Sequence, residues 1–116
     1  MKLEFPCVVA KGLYDDGEHV DVRIHVVNLA AICNFQTKWT EKISGYKCFK
    51  NPLDGTLLTV KVPYRYGRIS CRFSGSKTLY ELKAGDEVNV TIECKGLWSI
   101  DSTCGFTWRL CDIISF

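Results

Sequence analysis

Hydrophobic and polar residues alternate along much of this chain, and the alternation has the period of a strand. The clearest case is Val88, Val90 and Ile92 on one side with Asn89, Thr91 and Glu93 on the other, directly after the turn Lys83-Ala84-Gly85-Asp86. Period two with β-branched residues on the apolar side predicts a half-buried strand. A polar tip, Ser99 to Gly105, separates it from a second apolar run, Phe106 to Ile114. The two runs predict a hairpin with Trp98 on one arm and Phe106 and Trp108 on the other. Near the start, Leu3, Phe5, Cys7 and Val9 share one parity, and Gly12 marks a bulge or bend. Pro6 has no N–H to give to a ladder, which puts the beginning of that strand on an edge. Tyr14-Asp15-Asp16-Gly17 turns the chain. From Val20 to Ile32 a long strand is expected, with Val20, Val22, Ile24 and Val26 inward and Asp21, Arg23 and His25 outward. Over Val26 to Ile32 the alternation fades, and this part either bends over the end of a barrel or forms a turn of helix.

Residues 34–67 carry weaker periodicity. Asn51-Pro52-Leu53-Asp54-Gly55 holds two turn signals. Leu58, Val60, Val62, Tyr64 and Tyr66 then share a parity opposite Thr59, Lys61 and Arg65, so a strand is expected from Leu57 to Tyr66, with Pro63 placing it at an edge or ending it early. One of the two tyrosines is expected to pack and the other to stack. The segment as a whole reads as an inserted β-ribbon or long hairpin. Ile69 to Phe73 predicts a short strand, and Ser76 is placed to cap one helical turn through Leu82.

Composition changes this picture little. A chain of 116 residues is long enough for one domain with a real core, residues 1–116. No apolar run approaches the roughly 20 residues of a membrane span, and Glu4 and Pro6 break the apolar centre a signal peptide would need. A cytoplasmic protein with no membrane partner is therefore expected. Seven cysteines show no C-x-x-C spacing. Most sit in apolar segments and read as small buried hydrophobes in a reducing compartment, Cys7, Cys33, Cys71 and Cys111 among them, while Cys48 and Cys104 are the expected exposed thiols.

Charge changes it more. Between Gln36 and Arg72 stand Lys38, Lys42, Lys47, Lys50, Lys61, Arg65, Arg68 and Arg72, opposed only by Glu41 and Asp54. The net formal charge is only +2, so the rest of the chain is acidic. Such asymmetry suggests a surface facing a polyanion.

The phrase Leu82-Lys83-Ala84-Gly85-Asp86-Glu87-Val88-Asn89-Val90-Thr91-Ile92 and the ending Trp108-Arg109-Leu110-Cys111-Asp112-Ile113-Ile114 resemble the single-stranded-DNA-binding family of bacteria and phages. In that family a "G-D-x-V-x-V-x-I" strand is followed by a Trp-bearing hairpin and a last strand. Ile69 to Gly75 resembles its third strand. The resemblance implies an all-β fold, a five-stranded OB-fold Greek-key barrel, here with the insertion above and at most one short helix. It implies binding of single-stranded DNA, with RNA left open, in replication or recombination. Family members often assemble through the first strand, which implies a homodimer or higher homo-oligomer. The chain shows no acidic tail of the kind that recruits partners to cellular members, so a minimal phage or plasmid module is expected.

Single strands are held by cations that track phosphates and by aromatic faces that stack on bases. Both kinds of residue are interleaved in Lys38-Trp39, Tyr46-Lys47, Phe49-Lys50 and Tyr64-Arg65-Tyr66, and Arg68, Arg72 and Trp98 complete the candidate set. Trp39 lies in a polar stretch and is expected to be exposed; Trp108 is expected in the core. His19 and His25 have no neighbouring nucleophile, and no phosphate loop, H-E-x-x-H or G-x-S-x-G is present. Asp15, Asp16, Glu18 and Asp21 read as a solvated turn. The chain is thus expected to be no enzyme and to use no cofactor or metal. The alternative is a protein-interaction barrel that docks through the same aromatic, basic stretch.

Overall fold

The alternating segments are strands, and burial follows the expected parity. In the computed structural model residues 1–17, 19–27 and 29–116 are described. Glu18 of the acidic turn and Asn28 of the fading strand lie outside the described residues.

Strand β1 (Lys2–Asp15) pairs antiparallel with β2 (Val20–His25) on one side and with a later strand, Glu87–Glu93, on the other. Because β2 ends opposite Val8, Pro6 faces a neighbour on one side only, and its missing N–H breaks no ladder. The register shifts on either side of Lys11, so the bulge expected near Gly12 is present. Gly12 is required there, because a Cβ would collide with the Leu82 carbonyl oxygen.

After β2 come α1 (Ala30–Thr37) and α2 (Thr40–Ile43), then three short strands, β3 (Cys48–Lys50), β4 (Leu53–Asp54) and β5 (Leu57–Lys61). The expected β-ribbon is therefore largely helical in its first half. Ile32, Phe35 and Gln36 are the buried residues of α1, a three-and-four spacing that matches a helix face. This resolves the fading strand in favour of helix and raises the helix count from one to two.

Strand β5 also corrects the identity of the barrel's third strand. Leu58 and Val60 are fully buried on it, and it pairs antiparallel with β2 from Asp21 opposite Lys61 to His25 opposite Leu57. It stops at Lys61, two residues before Pro63. The chain then makes a small separate hairpin, β6 (Tyr64–Arg65) and β7 (Arg68–Ile69). Strand β8 (Arg72–Gly75), expected as barrel strand three, is exposed along its whole length and runs parallel to the last strand, outside the ring. It lacks the inward apolar alternation that a barrel strand needs.

A 3-10 turn (Leu79–Glu81) follows, capped by Thr78, whose N–H donates to Glu81 Oε1 at 3.0 Å. Ser76, the expected cap, instead donates its hydroxyl to the Phe116 carbonyl. Gly85, at φ 94°, turns the chain into β9 (Glu87–Glu93); its N–H donates to the Val9 carbonyl at 2.8 Å, and the Val9 N–H donates to the Asp86 carbonyl at 2.8 Å. The Gly-Asp phrase thus pins the turn onto β1. Lys77 Nζ adds a 2.9 Å ion pair to the Asp86 carboxylate. The hairpin β10 (Trp98–Ile100) and β11 (Thr103–Gly105) leads into β12 (Trp108–Ser115).

Following the pairings gives β5-β2-β1-β9-β12, and β12 returns to β5 in parallel at Trp108 opposite Val60 and Arg109 opposite Lys61. Five strands therefore close a ring in the order of the OB fold. The core runs through it, with Trp108, Val60, Ile92 and Leu79 fully buried. Phe35 meets the Trp108 ring edge-on at 5.4 Å between centroids, seating α1 on the barrel. Among the described residues no helix is long and apolar enough to cross a membrane.

All seven cysteines are free. Burial pushes the Cys7 thiol up to about 12 and Cys71 up to about 11, so neither is a nucleophile near neutrality. Cys33 and Cys48 are the exposed pair, whereas Cys104 is buried. That correction follows from β11, which lies between β10 and β3 and turns Cys104 inward.

Two outcomes are expected. Gly12→Ala should lower the urea midpoint by the equivalent of about 1–3 kcal/mol, whereas Gly45→Ala, whose Cβ would meet its nearest atom at an ordinary 3.5 Å, should leave it nearly unchanged; equal midpoints would contradict the close approach of Leu82. The second concerns pH. The Lys77 ammonium, helped by the Lys83 N–H, holds the Asp86 carboxyl below its usual value. A carboxyl with a lower pKa in the folded state stabilises above its unfolded pKa, about 3.9, and loses that contribution as pH falls through the folded value. Asp86→Asn should therefore flatten the fall of the urea midpoint on acidification; an unchanged fall would rule the latch out.

Candidate nucleic-acid interface

The start of β2 and the outward parity of β5 make the floor of a groove of about 670 Å³. Val20 and Asp21 come from β2, and Thr59 and Lys61 from β5. Thr107 and Trp108 enter where β12 closes against β5. His19 supplies one rim, from the β1–β2 connection. Lys50, Asn51 and Pro52 supply another, and Trp98, Ile100 and Phe106 rise from the hairpin that precedes β12. In small barrels of this type, the face of strands two and three with these flanking loops is where extended ligands bind.

The walls are held by specific contacts. Strand β3 pairs in parallel with β11, setting Lys50 beside Gly105. The Lys47 N–H also donates to the Ser102 carbonyl at 2.9 Å, tying the insertion to the hairpin tip. Gln36 Nε2 donates to Asn51 Oδ1 at 3.1 Å, and the same oxygen accepts the Leu53 N–H at 3.0 Å. Gln36 in turn accepts from Trp108 Nε1 at 3.3 Å, so the floor, α1 and the Asn51 rim form one network that runs from the core to the surface. Trp98 lies against Gly105, where a Cβ would come within 2.7 Å of its ring. The half-buried indole has an Nε1–H shielded from solvent without a partner among the described residues. The ring also borders a smaller hollow of about 180 Å³ that includes Lys95 and Arg109.

The groove carries mixed charge with a basic majority. Lys50 and Lys61 stand in it with Asp21, which faces Lys61 across the ladder. His19 lies 3.5 Å from the Asp16 carboxylate. Arg23, two residues along β2 on the same outward parity, is exposed and sits between Lys11 and Thr59 in the ladders. His25 bonds the Thr56 hydroxyl, and among the described residues no group of three or more His, Cys, Asp or Glu could hold a metal ion.

Of the residues expected from sequence, Lys50 and Trp98 line the groove. Phe49 flanks it, more than a third exposed and edge-on to Phe106 at 5.7 Å, and Lys47 is exposed beside it. Lys38 and Tyr46 sit on the helical insertion, exposed and half-buried respectively. Trp39 corrects the expectation of exposure. Its ring packs on Gly96, its Nε1 is buried, and Lys42 stands over the ring at 5.0 Å, so the side chain is half-buried. Tyr64, Arg65, Tyr66 and Arg68 are all exposed on the β6–β7 hairpin; neither tyrosine packs into the core. Arg72 lies on β8 opposite Asp112, outside the ring. The groove residues outside the expected contact set include His19, Asp21, Thr59, Lys61, Ile100 and Phe106, of which Lys61 counts in the sequence only toward the basic stretch. A signal for Lys61 existed, since it stands on the polar parity of Leu57–Lys61. It becomes informative only once that segment is recognised as barrel strand three.

No protein-family model and no curated protein matches the sequence. Among solved structures, the chain is similar to gp2.5, a single-stranded DNA binding protein encoded by bacteriophage T7, with a TM-score of 0.66 over 98% of this chain and 90% of that one. Identity is 7%, so what the two share is the fold: this chain is an OB-type β-barrel.

Proposed function

We propose that this chain binds single-stranded DNA along the groove over β2 and β5, with little sequence preference and without catalysis. The observation that carries the reading is the groove itself, with Lys50 and Lys61 on the phosphate path and the Trp98 ring at its wall, on the barrel face that such folds use. The shared architecture with a phage protein that binds single-stranded DNA supports the same ligand. Stacking on an aromatic ring contributes about 1–3 kcal/mol per base whatever the base, and phosphate contacts are equally indifferent to sequence. Binding free energy alone then protects transient strands and melts hairpins during replication or recombination, and the fold shared with a phage-encoded protein favours a phage or plasmid setting. Seven free thiols suit a reducing compartment.

At low salt, oligo-dT should quench the tryptophan fluorescence, and the quench should be lost in Trp98→Phe, because Trp39 and Trp108 are packed. Trp98→Ala should weaken binding by about 1–3 kcal/mol. Neutralising Lys50 and Lys61 with Gln should each flatten the slope of log K against log salt by about 0.7. Oligo-U and duplex DNA in parallel define the strand class. Binding that ignores oligonucleotide but captures a protein at high salt would overturn this reading in favour of a docking barrel.

A further inference from the structure

We infer that the β6–β7 hairpin is a second nucleic-acid contact, a finger that holds nucleotides leaving the groove at its His19–Lys61 end and so lengthens the footprint. The inference rests on the groove reading above. Its first support is where the hairpin is rooted. The chain from Lys61 to Tyr64 can span at most about 10 Å. The Val62 N–H donates to the carbonyl of Val20 in the groove floor at 2.8 Å, and the Ser70 N–H closes the hairpin base on the Pro63 carbonyl at 2.9 Å.

The second support is the turn. Tyr66 and Gly67 both have positive φ, 54° and 73°. Two-residue turns of this hand favour Asn-Gly or Gly-Gly, and a bulky side chain there is disfavoured. The Tyr66 ring is 95% exposed, so no packing inside the chain compensates for the strain. Strain held where folding gains nothing points to a use for the side chain.

The third support is charge. Arg65 stands directly opposite Arg68 across the two-stranded ladder, a repulsive cross-strand pairing. Among the described residues no carboxylate pairs with either guanidinium. A ligand with anionic and aromatic groups satisfies all three features together. A phosphate between Arg65 and Arg68 removes their repulsion and accepts their forked N–H donors. A base stacks on Tyr66, and the half-exposed Tyr64 on the same hairpin offers a second ring. Continuity with the groove favours a single nucleic-acid strand over an acidic protein as that ligand.

The test is affinity against length, with the full chain and oligo-dT of about 4 to 16 nucleotides, the range of site sizes for such barrels. Tyr66→Asn replaces the strained residue with one the turn prefers, so the variant should fold at least as well as the wild type in urea. Its affinity should equal that of the wild type for the shortest strands and fall about 5- to 150-fold behind for the longest, the share of one stacked base. Arg65→Gln with Arg68→Gln should flatten the salt slope only with long strands. Wild-type length dependence retained in every variant would overturn the finger while leaving the groove reading intact. A loss equal at all lengths would also overturn it, assigning the tyrosine to the groove itself. Wild-type protein that binds no oligo-dT would overturn both readings, and an acidic protein retained by Arg65 and Arg68 in that case would identify the other class of ligand.

Discussion

Closure of the sheet between β5 and β12 is the constraint on which the other features depend. Without it, β2 and β5 would form the side of an open sheet; with it, they become one wall of a barrel with a floor behind them. Two residue pairs make the parallel contact, Trp108 with Val60 and Arg109 with Lys61. So short a ladder cannot hold by hydrogen bonds alone, since each contributes only about 1 kcal/mol net. The Trp108 side chain completes it. Fully buried, it packs edge-on to Phe35 and donates to Gln36, which bonds Asn51. One tryptophan therefore links barrel closure, the helical insertion and a rim of the groove. An apolar residue in place of Gln36 would leave the buried Trp108 donor unpaired, a cost of about 1–3 kcal/mol.

The same constraint explains the shape of the insertion. A β-ribbon in its place would have offered no helix face to cover the end of the barrel. Helix α1 buries Ile32, Phe35 and Gln36 there, and β3 then crosses to pair with β11. Lys50 reaches the groove through that pairing, and Trp98 rests on Gly105 in the adjoining strand. Loops on such a scaffold are free to carry function because the closed ring holds their ends.

How much of this was legible in the sequence varied with the strength of the local signal. Val88 to Ile92 and the Gly85-Asp86 turn were plain, because alternation and a residue at positive φ are both local properties. The bulge at Gly12 was legible for the same reason. Barrel strand three was not. Leu57 to Lys61 is short, and Tyr64 and Tyr66 extend its parity past Pro63, although the ladder stops at Lys61. Assigning that role to Ile69–Gly75 moved the groove's second strand and hid Lys61. Helix α1 was ambiguous because Ile32, Phe35 and Gln36 make a narrow face within a polar stretch. Trp39 looked exposed by its neighbours Lys38 and Thr40, yet its ring reaches Gly96, far away in sequence. Among the expected contact residues, those lining the groove were legible by chemistry, and their convergence was visible only in three dimensions.

The account comes down to where a single strand lies on the barrel. Amide chemical-shift mapping with oligo-dT at low salt tests this most directly. The account predicts that perturbations concentrate at Lys50, Lys61, Trp98, Ile100 and Thr107. Perturbations gathered instead on the exposed Phe73, Tyr80 and Phe116 side, or none at saturating oligonucleotide, would contradict it.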